Sequence, residues 1–72
     1  MATPNEAILQ LIKTMNASGV SVEVKAAAAE GLGYAGGAGA REALIKVINS
    51  SGISIEVKAA AAKALGRAAF VS

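Results

Sequence analysis

The sequence predicts an all-α fold of four helices, arranged as two antiparallel helix pairs. Three observations carry this. First, an offset of 33 residues lays positions 11–34 on positions 44–67 with 16 of 24 identical. A period of that size is the signature of stacked helical units. Second, 54% of the residues are apolar, yet Tyr34 and Phe70 are the only aromatics. The apolar mass is chiefly alanine, which has the best helix propensity and no side-chain entropy to lose. Third, the 72 residues include no cysteine and no histidine. Neither a disulfide nor a histidine-bound metal can brace so small a core, which buries only about 60% of the unfolded surface. The chain therefore reads as a single domain, 1–72, of two units at about 3–36 and 37–70.

The first helix opens on Thr3-Pro4-Asn5-Glu6. Thr3 suits the N-cap, Pro4 the first helical position, and Glu6 the closing residue of a capping box. Ala7, Ile8, Leu11, Ile12 and Met15 follow at helical spacing and make one apolar face. Leu9 falls on the other side, where water is expected. The helix should end near Ala17, with Ser18-Gly19 as the turn.

The second helix starts at Ser21, whose hydroxyl can accept from first-turn amides, with Glu23 placed favourably against the helix dipole. On a 3.6-residue period Val24, Ala28, Leu32 and Ala35 share the inward face. Ala26, Ala29 and Gly33 lie opposite. Both faces are small or apolar, so this helix should be covered on more than one side. Gly36-Gly37-Ala38-Gly39 then reads as a turn. A phosphate-cradling loop would need a preceding strand and a following Lys-Ser or Lys-Thr, and neither is there.

The third helix is expected from about Ala40 to Asn49, with Ala40, Leu44, Val47 and Ile48 inward and Glu42–Lys46 as an exposed pair. Asn49-Ser50-Ser51-Gly52 repeats the turn Asn16-Ala17-Ser18-Gly19. The fourth helix, from Ser54 or Ile55 to near Ala69, repeats the second, and Phe70-Val71-Ser72 is the tail.

Val24-Lys25, Ala26 to Ala29 and Leu32-Gly33 resemble the second helix of HEAT-like repeats of the phycobilisome-lyase type. Val57-Lys58, Ala59 to Ala62 and Leu65-Gly66 match it again. Gly36, Ala40, Ala43, Leu44 and Ile45 fit the segment that follows. The chain departs from that pattern where Asn16, Ser18, Asn49 and Ser51 replace aspartates, and where Gly37-Ala38 replaces Asp-Pro. The resemblance implies two repeats of a right-handed α-α superhelix. It carries lyase activity in name only, since two repeats are too few to enclose a tetrapyrrole and its acceptor protein.

The inventory for chemistry is nearly empty. Glu6, Glu23 and Glu56 have capping or dipole roles, Glu42 has Lys46, and only Glu30 lacks a local one. No carboxylate pair is set to split acid and base duties, and no histidine can activate a serine. An enzyme is not expected, nor any cofactor or metal. A net charge of +2 is too small a footprint for nucleic acid, and Lys58, Lys63 and Arg67 on the last helix read first as solvated charge. A nucleic-acid-binding helical module is nevertheless the alternative reading. A secreted membrane-active peptide cut after Gly37 is another, but the repeat straddles that cut. No apolar run reaches the ~18 residues of a spanning helix, and the N-terminus lacks a signal-peptide core, so the expected location is cytoplasmic.

What remains is protein–protein interaction, including self-association to a homodimer or higher oligomer, with an unidentified protein as the other partner. Ala26, Ala29 and Gly33, with their repeat equivalents Ala59, Ala62 and Gly66, are the expected interaction face. They should form one nearly side-chain-free concave patch that docks a helix. Leu9, Tyr34 and Phe70 are candidate anchors. Tyr34 suits either an anchor at a binding surface or, more commonly, a lid over the core between repeats.

Overall fold

A computed structural model describes residues 4–70 as four helices and, among those residues, no strand: α1 (Pro4–Asn16), α2 (Val22–Ala35), α3 (Gly37–Asn49) and α4 (Ile55–Ala68). Thr3 and Val71 lie outside the described residues. Pro4 opens α1, where its missing N–H costs nothing. Ser21 and Ser54 cap α2 and α4 identically. Their Oγ atoms accept from the Val24 and Val57 amides at 3.2 and 3.3 Å. The two loops between paired helices also repeat, with Gly19 at φ 77° and Gly52 at φ 79° supplying the left-handed backbone that each turn requires.

The glycine-rich segment departs from expectation. α3 begins at Gly37, about three residues early, so Gly36 alone separates it from α2. Gly36 adopts φ 68° and ψ −164°, and its N–H donates to the Leu32 carbonyl at 3.0 Å. Gly37 follows at φ 86°, so two consecutive glycines at positive φ reverse the chain, and Ala38 and Gly39 join the first turn of α3.

α2 and α4 lie side by side and form the largest interface. α1 packs on α2, α3 on α4, and α1 meets α3 only weakly. The Cα envelope of 30 × 26 × 16 Å is two helix layers deep. Among the described residues, seven of the twelve buried hydrophobic residues are alanine, and Leu32 and Leu44 are the largest fully buried side chains. Alanine lining lets the backbones approach closely. An alanine-sized Cβ at Gly33 would lie 2.8 Å from the Ala64 Cα and Cβ. Gly33 is therefore glycine because α4 passes directly over it.

The two copies of the repeat are buried differently. Val57 is 2% exposed, whereas its equivalent Val24 is 47% exposed. Ala35, expected inward, is exposed, while Ala68 is buried. Leu32 is fully buried and Leu65 only partly so. The reason is positional. One face of α4 rests on α2, but the corresponding face of α2 has no helix beyond it among the described residues.

Candidate interaction faces

On a helical wheel Val24, Ala27, Gly31 and Ala35 form one edge of α2, and Ala26, Ala29 and Gly33 form the opposite edge. α4 carries the same two edges as Val57, Ala60, Ala64 and Ala68, and as Ala59, Ala62 and Gly66. The α2–α4 seam joins unlike edges. The Ala29–Gly33 edge of α2 meets the Val57–Ala64 edge of α4, where Ala29 is fully buried and Gly33 opposes Ala64.

This corrects the expectation of one continuous small-residue surface. Ala29 and Gly33 are interior and Ala26 is half-buried, while Ala59, Ala62 and Gly66 are exposed. The six residues are split because the stripe on α2 is already used by α4. No atom outside its own helix lies within 4 Å of a Cβ placed at Gly66, so that glycine has open space where Gly33 has none. Ile55, beside this outer edge at the start of α4, is 82% exposed.

The third side of α2 and α4 faces water and mixes charged with apolar residues. Glu30, Tyr34, Lys63, Gly66, Arg67 and Phe70 line a cleft of about 680 Å³ that runs across the seam. The Arg67 guanidinium stacks over the Tyr34 ring at 4.4 Å from its centroid, which ties α4 to α2. Tyr34 is thus a surface residue and not a lid over the core. Leu9 is exposed on α1, and Phe70 is 93% exposed. The three candidate anchors do not come together. Tyr34 and Phe70 share the cleft, and Leu9 is on another element.

No group of acidic residues that could hold a metal ion occurs among the described residues. No described helix is long and apolar enough to cross a membrane. Comparison with known proteins finds no matching family model, no matching curated protein and no matching solved structure. The functional reading therefore rests on the faces themselves. Sequence reasoning missed the edge formed by Val24, Ala27 and Gly31, having assigned Val24 to the interior. The signal that could have found it was the repeat, since two units share one seam and leave this edge of α2 without a neighbouring α4-type helix among the described residues.

Proposed function

We propose that this chain is a protein–protein interaction module built of two HEAT-like helix pairs, that it works without catalysis or cofactor, and that it self-associates. One observation carries the reading. Ala59, Ala62 and Gly66 make a small-residue edge on α4 that stands in water, although the equivalent edge of α2 is buried in the tightest contact of the fold. A helix surface that only meets solvent accommodates Lys, Glu or Gln at such positions, and those are good helix formers. Glycine inside a helix costs up to about 0.5–1 kcal/mol relative to alanine, less in a last turn such as that of Gly66. A helix docked against this edge gives Gly66 the purpose that α4 gives Gly33.

Sedimentation equilibrium from low micromolar to several hundred micromolar tests the reading. A mass that rises with concentration supports it. A folded 7.1 kDa monomer throughout overturns it.

A further inference from the structure

Resting on that reading, we infer that the occupant of the α4 edge is the α2 edge of a second copy of the chain. The α2–α4 seam is then repeated from one molecule to the next in a head-to-tail stack. The internal seam is the template. It joins the Gly33 edge of the first repeat to the Ala64 edge of the second, and each molecule retains one unused edge of each kind. The Gly66 edge of α4 repeats the former and the Val24–Gly31 edge of α2 repeats the latter.

The same inversion extends to the outer layer. Met15 is buried and its equivalent Ile48 half-buried. Ile12 is half-buried and Ile45 exposed. In the other sense, Ala7 is exposed and Ala40 buried, and Leu11 is half-buried while Leu44 is fully buried. The first two differences place a missing neighbour after the second repeat, and the other two place one before the first. Residues already shaped for the seam therefore face outward at both ends.

Charge selects the same arrangement. The two copies differ at Glu30/Lys63 and Tyr34/Arg67, and all four residues line the cleft along the internal seam. Head-to-tail stacking sets Lys63 and Arg67 of one molecule beside Glu30 and Tyr34 of the next. The row then alternates in sign across every seam, and the cation–π pair seen inside the chain can recur between chains. A symmetric contact through two α4 edges would instead bring Lys63 and Arg67 against their own copies, and like charges repel. Gly66 would meet Gly31 of the next molecule, two positions without a side chain at the closest approach. Because the joined edges differ, the contact is heterologous and does not close on itself by a two-fold axis.

Complementation between two blocked chains is the test. Ala62→Lys blocks the α4 edge and Ala27→Lys blocks the α2 edge. Both residues are exposed, so each variant should fold with parental helicity by circular dichroism. The parent should form species larger than a dimer as concentration rises. Each variant alone should associate at least about a hundred-fold more weakly, because an unpaired ammonium would be buried at the seam. An equimolar mixture should form a 1:1 dimer and nothing larger, since one free edge of each kind remains.

As a milder probe, Gly66→Ala should weaken association, because its methyl group meets open space within the chain and would stand at the closest approach between chains. If either lysine variant alone still associates like the parent, or if the mixture stays monomeric, the head-to-tail assignment is overturned while self-association stands. A parent that is monomeric at all concentrations overturns both.

Discussion

Replacing Gly33 or Gly66 with alanine makes the same chemical change at repeat-equivalent positions, and the two variants should move stability in opposite directions. Both substitutions gain part of the helix-propensity difference, at most about 0.5–1 kcal/mol because both sites lie in a last turn. At Gly66 nothing opposes the gain, because the new methyl group meets open space. At Gly33 the methyl would lie 2.8 Å from the Ala64 Cα and Cβ and 2.9 Å from its carbonyl oxygen. Comfortable carbon contacts begin near ~3.5 Å, so α4 would have to move by roughly 0.7 Å along the largest interface in the chain. The obstructing atoms include backbone, which no rotamer change relieves. Overpacking of this kind costs about 1–3 kcal/mol, leaving Gly33→Ala less stable by about 1–2 kcal/mol once the propensity gain is subtracted. For a domain of this size each kcal/mol shifts the melting temperature by about 4–8 °C. Thermal and urea melts followed by circular dichroism would resolve both shifts. They belong at several dilutions, since association adds to apparent stability. If both variants shift the same way in the dilute limit, the close approach of α2 and α4 at Gly33 is wrong.

Two further predictions follow from the packing. Leu32→Ala removes one of the two largest fully buried side chains and should cost about 2–5 kcal/mol, whereas Leu65→Ala, at a partly buried site, should cost less than half as much; equal losses in urea titrations would refute the difference between the repeats. Ser21→Ala and Ser54→Ala should each cost about 1 kcal/mol by freeing the Val24 and Val57 amides, and the double variant should show their sum, because the caps belong to different helices.

Most of the helical framework was legible in the sequence. Serine caps, glycine turns and apolar spacing act within a few residues, so local chemistry alone set α1, α2 and α4 to within a residue or so. The start of α3 was less legible because four small residues allow several ways to reverse the chain. Only the structure shows that Gly36 and Gly37, both at positive φ, accomplish it. The division of the candidate face was not legible from either helix by itself. Val24 and Val57 sit in the same local sequence and on the same helical edge, yet one is exposed and the other buried.

That pair shows where burial is decided in a repeated chain. Propensity and amphipathicity are properties of the segment, and duplication copies them. Cover is a property of the neighbour, and duplication does not copy that at the ends of a stack. Two units contain one internal seam, so every edge residue occurs once inside a contact and once outside it. Where a stack ends at a surface meant for water, the terminal unit replaces its seam residues with polar ones. Here the outer edges keep Ala59, Ala62 and Gly66 at one end and Val24 and Ala27 at the other, with Gly31 half-buried beside Leu11. Of the eight substitutions that separate the copies between 11–34 and 44–67, the two that change charge, Glu30 to Lys63 and Tyr34 to Arg67, line the cleft and alternate across the seam instead of capping it. A duplication without later selection would explain the likeness of the edges but not that alternation. The Glu–Lys and Tyr–Arg differences are therefore the feature that most directly argues for seams beyond the one inside the chain.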